Sequence, residues 1–154
     1  AREYVSMIFE GSASHMMALL PAIVFVVAIF LAFSTGTSWG TFGILLPIVA
    51  GINLPSELLV ITVSACLAGA VCGDHCSPIS DTTIMSSAGA RCDHINHVTT
   101  QIPYVVLAAS VSFVGYCIAG TVQNAWIVLA ICILILLALL LGIRKFVSGR
   151  EIEG

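Results

Sequence analysis

Charge is scarce in this sequence. Five Lys and Arg and eight Asp and Glu make up 8% of its 154 residues, against roughly 25% in an ordinary soluble domain. So few charges cannot cover a water-facing surface, which excludes a soluble globular protein. The formal net charge of -3 comes in no long run, so no nucleic-acid partner is expected. Signs of processing are missing too: the start AREYVSMIFE sets one arginine against two glutamates and has no short apolar core with a cleavage site, unlike a signal peptide. It also does not open on Met, and the chain is read as a fragment. A disulfide framework is absent as well. Cys66, Cys117 and Cys132 lie inside apolar stretches and Cys72, Cys76 and Cys92 flank polar breaks, a pattern of core-filling residues rather than staples.

What is abundant is apolar surface, at 59% hydrophobic residues. Runs near the length that spans a bilayer, roughly 17 to 25 residues, recur along the chain, so the class is an all-α polytopic membrane protein. NAWIVLAICILILLALLLGI, 124–143, reaches roughly 30 Å as a helix. YVVLAASVSFVGYCIAG, 104–120, is a second continuous span, and the short TVQN link makes the two antiparallel neighbours. Two further segments, 17–52 and 57–90, are interrupted. The first stops at STGTSWG and resumes as TFGILLPIVAGI; the second stops at CGDHCSPISD and resumes as TTIMSSAGA. Unwound backbone at membrane depth persists only where protein or a water-filled cavity surrounds it, and paired interruptions point to a transporter's binding site. The letters leave open whether 17–52 crosses once as a broken helix or returns as a hairpin. Arg91, Arg144, Lys145 and Arg150 fall at ends of the last helix pair that face one side, so that side and the C-terminus are expected to be cytoplasmic.

An ionisable side chain at the centre of a spanning helix costs roughly 2.5 to 3.5 kcal/mol on an insertion scale. Asp74 and Asp81 therefore require a cation, a proton or hydrogen-bond donors. Around them stand His75, Ser77, Ser80, Thr82 and Thr83, and the other break offers Thr35, Thr37, Ser38 and Thr41. Hard cations prefer such oxygen ligands, so an alkali ion is the natural guest, with carbonyls freed by unwinding to complete its shell. Desolvation disfavours the charged form of a carboxyl, so proton and cation can compete for one seat. If the site opens to one side at a time, that competition is antiport. His75, between the two acids, is a candidate proton relay, because imidazole titrates near neutral pH.

STGTSWGTFGILLPIVAGI, 34–52, and CGDHCSPISDTTIMSSAGARCDHINHVTTQIPY, 72–104, closely resemble the C-terminal half of the NhaC-type sodium/proton antiporter family. The resemblance covers about a third of the chain and implies a secondary carrier of the ion-transporter superfamily. Such carriers are built from inverted repeats, with paired discontinuous segments meeting near the membrane centre. It also implies that Asp74, Ser77, Ser80, Asp81 and Thr82 form one break of the ion pathway, and Ser34, Thr35, Thr37 and Ser38 the other. Family members have several hundred residues, so the chain is read as lacking the N-terminal half, which becomes a required partner unless two copies combine as a homo-oligomer.

The expectation is therefore a multi-pass protein of the cell inner (plasma) membrane with two continuous and two discontinuous segments. Membrane lipid and small ions are its other partners. It exchanges Na+ for H+, with Na+ at Asp81 and Asp74, and has no cofactor beyond the transported ions. An exchanger of organic acids or amino acids coupled to Na+ or H+ is the alternative within the family. Two other classes deserve a test. Cys72, Cys76, Cys92, His94 and His97 supply enough ligands for tetrahedral zinc, although His94 and His97 read as surface residues of a connecting stretch. A serine nucleophile at Ser77 or Ser80 beside His75 would make an intramembrane enzyme, but the Gly-x-Ser-x-Gly elbow is absent. Trp39 and Phe42 are either a gate over the first break or an interfacial anchor. Pro21 and Pro47 kink their helices, and nothing ties Ser12, Ser14 or His15 to the site.

Overall fold

Backbone amides in lipid must be satisfied within their own segment, so an apolar chain of this kind folds as helices. A computed structural model describes residues 2–150, and side chains from 16 to 145; Ser12, Ser14, His15 and the side chain of Arg150 lie outside that range. Six helices follow in order: α1 Arg2–Thr35, α2 Ser38–Gly51, α3 Ser56–Cys76, α4 Asp81–Gly89, α5 His94–Val122 and α6 Ala125–Arg150. Four stretches are long and apolar enough to cross a membrane: Met16–Thr35, Ser56–Cys76, His94–Val122 and Ala125–Lys145.

α1 and α3 are pressed together along a seam of small residues. A Cβ added at Gly69 would meet Phe25 O and lie 2.9 Å from Ala28 Cβ, and one added at Gly73 would meet the Ile29 backbone. One turn further, the Ser77 hydroxyl donates to Phe33 O at 2.7 Å. Both partners advance by four residues at each step, so the two helices run parallel. Gly69 and Gly73 form the small-xxx-small spacing that lets helix backbones approach in membranes, where dispersion replaces the hydrophobic effect as the cohesive force. Ala28, Ala32 and Ala70 fill the middle of this seam, with Phe42 and Leu45 of α2 packed over them.

Parallel α1 and α3 require α2 to bring the chain back. Phe42 and Leu45 pack against the cluster that Ala28 and Ala32 of α1 form with Ala70 of α3, short of the end of α1, so α2 folds back along the pair as a hairpin. Of the two alternatives the sequence leaves open, the chain takes the reversal. The turn depends on Gly36, whose φ of +66° lies in the left-handed region where a Cβ is unfavourable. Its N–H donates to Ala32 O at 2.8 Å. Thr37 then caps α2, its Oγ1 accepting from the Gly40 N–H.

α5 runs antiparallel to α1, Gly120 lying against Ala18 and the Tyr116 ring 5.1 Å from that of Phe25. It begins at His94, ten residues ahead of the expected 104. The Asp93 carboxylate caps it, accepting from the Asn96 N–H at 2.8 Å, and Pro103 is accommodated inside it. His94 and His97 are therefore helical and half-buried rather than part of a connecting surface stretch. α6 follows after Gln123 and Asn124 and packs on α5, where Gly115 faces Cys132.

Candidate functional site

The two helix breaks lie against each other. α3 stops at Cys76, with the Ser77 N–H donating to Asp74 O at 3.1 Å, and Pro78 has no N–H with which to continue it. A Cβ on Gly36, in the first break, would stand 2.8 Å from Ile79 O in the second. Phe33 O belongs to the last turn of α1, where carbonyls lack an intrahelical partner, and the Ser77 hydroxyl supplies one. Across the break, the Thr83 hydroxyl of α4 donates to His75 O at 3.2 Å, in the last turn of α3.

Inside this junction sits Asp74. Its residue is 3% exposed, and its Oδ1 accepts one side-chain hydrogen bond among the described residues, from the Ser80 hydroxyl at 2.7 Å. Ser80, itself fully buried, is 2.7 Å from the Thr82 hydroxyl. The chain Asp74–Ser80–Thr82 thus leads from a buried carboxylate to a residue exposed on the chain. Carboxylate and hydroxyl oxygens so arranged are hard donors that suit an alkali cation. A buried carboxylate is costly unless paired or well hydrogen-bonded, and one hydroxyl compensates only part of its charge.

The other expected residues take different places. Asp81 is exposed on this chain, and its Oδ1 accepts from the Thr82 N–H at 2.8 Å in the first turn of α4. His75 is exposed, with Nδ1 2.9 Å from Val71 O. In the first break the hydroxyls serve their own backbone: Ser34 donates to Phe30 O, Thr35 to Leu31 O and buried Thr41 to Thr37 O. Ser38 is half-buried beside Thr37. Trp39 is 81% exposed and meets Phe42 edge-on at 5.8 Å.

Two alternative chemistries lose their geometry. No group of three or more His, Cys, Asp or Glu among the described residues could hold a metal ion. The Cys76 thiol points at Gly73 O, the Cys92 thiol at Ser87 O, and both nitrogens of His94 are engaged. The zinc reading is therefore overturned. Ser77 donates to Phe33 O and Ser80 to Asp74, so neither forms the bond to His75 that would activate a nucleophile. A separate hollow of about 650 Å³ between α3, α5 and α6, lined by Val60, Ser64, Tyr116 and Val128, lies toward the other end of α3.

His94 is the residue whose place the sequence does not foretell. It binds Pro78 O and Ser87 Oγ, partners 16 and 7 positions away, and no local spacing announces them. The Gly69-x-x-x-Gly73 pair, by contrast, carries a readable packing signal.

A family model described as the Na+/H+ antiporter family matches residues 1–121. An uncharacterized protein of Haemophilus influenzae is 48% identical over 145 residues, 93% of this chain and 28% of the relative. An uncharacterized Na(+)/H(+) antiporter of the same organism is 38% identical over 68% of this chain and 24% of its own length. A malate-2H(+)/Na(+)-lactate antiporter of Bacillus subtilis is 34% identical over 56% of this chain and 20% of its own length. The chain thus spans about a quarter of the length of these curated relatives. No solved structure matches it.

Proposed function

The chain belongs to the Na+/H+ antiporter family, and from that premise we propose that it carries the ion-binding junction of an NhaC-type carrier exchanging Na+ for H+. With four apolar helices, it is a multi-pass membrane protein. In this reading α1–α2 and α3–α4 are paired discontinuous segments of one inverted repeat in the plasma membrane, and the rest of the carrier supplies the other repeat. The C-terminus is cytoplasmic, from the positions of Arg91, Arg144 and Lys145.

The observation that carries the proposal is Asp74, a buried carboxylate with one hydroxyl partner at the contact between two helix breaks. A lone buried negative charge is neutralised by one cation at a time. Na+ takes oxygens from Asp74, Ser80 and Thr82, with loop carbonyls freed at the breaks; H+ takes the Asp74 carboxyl itself. Arrival of one then releases the other, and access from alternate sides makes the release vectorial. We assign Asp81 as the second acid of the path and exposed His75 as its proton relay.

The test is Na+-induced proton release by the full-length carrier in vesicles. Asp74→Asn keeps the shape, removes the charge and should abolish the release; Asp81→Asn should weaken it. Full activity of Asp74→Asn ends the proposal. A second reading is favoured by the relative named for malate and lactate: an organic acid rides with the cation, its carboxylate received by helix N-terminal amides at the breaks. Proton movement on adding malate or lactate, but not NaCl alone, selects that reading.

A further inference from the structure

The exchange reading leaves His94 unused. His94, the first residue of α5, is half-buried, with Nε2 2.7 Å from Pro78 O and Nδ1 3.1 Å from Ser87 Oγ. A carbonyl can only accept, so Nε2 carries hydrogen and donates to Pro78 O. The Ser87 hydroxyl also lies 2.9 Å from Ile84 O. By turning between Ile84 O and Nδ1 it can accept from or donate to the ring, so the contact to Pro78 survives either protonation state of the imidazole.

Pro78 lies in the stretch that separates α3 from α4, and that stretch is fastened at three points. Ser77 donates to Phe33 O of α1, Ser80 donates to Asp74 of α3, and Pro78 O accepts from His94 of α5. Proline has no N–H, so the carbonyl is the backbone polar group by which this residue can be held. Releasing it leaves the loop held from α1 and α3 alone, without its tie to α5, which loosens the placement of the Ser80 hydroxyl two residues away on Asp74. Placement errors of an ångström or less at a binding constellation are enough to degrade it.

We propose that His94 is a positioning residue for the ion site, a latch from α5 that fixes residues 77–80 and through them the Ser80 hydroxyl on Asp74. The effect on transport rests on the exchange reading of Asp74; the effect on the loop does not.

The full-length carrier with His94→Ala is compared with His94→Gln, whose amide can donate to Pro78 O but does not titrate. His94→Ala should raise the apparent KM for Na+ about tenfold, the loss of roughly one hydrogen bond to a group that then lacks its partner, with a smaller change in kcat. It should also speed deuterium uptake across 77–84, and His94→Gln should restore both values. His94→Asn, too short to reach Pro78 O, gives the same contrast with Gln if the Ala variant does not accumulate. Wild-type KM and uptake in the Ala or Asn variant, or failure of Gln to restore uptake, overturns the latch. If Asp74→Asn still exchanges ions, the transport reading falls, while uptake across 77–84 continues to judge the latch.

Discussion

Gly73→Ala tests whether the α1–α3 seam holds the site. In an open helical position the change favours folding by about 0.5 to 1 kcal/mol, because alanine loses less conformational freedom than glycine. At Gly73 the added Cβ would stand 2.9 Å from the Ile29 carbonyl carbon and 3.0 Å from its Cα. Carbon atoms pack at about 3.5 to 4.0 Å, so the helices must part by roughly half an ångström or more. The obstacle is backbone, which cannot swing aside as a side chain would. Overpacking of this kind costs about 1 to 3 kcal/mol, which exceeds the helical gain. One turn on, the 2.7 Å Ser77–Phe33 bond takes the strain. The expected result for the full-length protein in detergent is a lower thermal midpoint together with loss of Na+-induced proton release. Gly43→Ala is the control, because nothing lies within 4 Å of its Cβ position; it should melt at or above the parent temperature. A Gly73→Ala carrier as stable and active as the Gly43→Ala one refutes the seam.

Gly36→Ala combines a φ of +66° with a Cβ 2.8 Å from Ile79 O; the left-handed penalty alone is about 1 to 2 kcal/mol, and both thermal stability and ion exchange should fall. Ser77→Ala leaves Phe33 O without its donor, a loss of about 0.5 to 1.5 kcal/mol for one part-buried hydrogen bond, visible as a lower melting temperature and faster deuterium uptake at the end of α1. Gly115→Ala places a Cβ 2.6 Å from Cys132 Sγ, so it should destabilise the protein alone and be largely rescued by Cys132→Ala, a coupling that a double-mutant cycle measures. Asp93→Ala removes the α5 cap at about 1 kcal/mol, lowering the melting temperature with little change in the apparent KM for Na+.

The helical membrane class is legible because it follows from how little charge the chain has and how long its apolar runs are. The polar stretches between helices are legible in part: STGTSWG and CGDHCSPISD mark where the apolar runs end, but α3 continues through CGDHC to Cys76, so only 77–80 separates it from α4. Direction is not: α2 reverses at Gly36, whose φ is positive, and Phe42 and Leu45 then pack on the cluster that α1 and α3 share, a tertiary choice. The sequence also treats Asp74 and Asp81 alike. Their burial differs because Asp74 adjoins Gly73 on the packed side of α3, whereas Asp81 opens a new helix on the exterior of this chain. For α5, the run TTQIP hides a helical start that depends on the Asp93 cap and on His94 finding Pro78 across a turn.

If the junction exchanges ions as proposed, the parallel contact of α1 with α3 limits how it can change its access. Each helix carries one break at its end, and the glycine seam behind them locks the pair in register. Prising the breaks apart would first require unzipping that seam along two turns of backbone contact. Under the exchange proposed above, a change of side is therefore simpler as a displacement of the whole helix pair, with Asp74 and its hydroxyl partners kept in fixed array, than as a parting of α1 from α3.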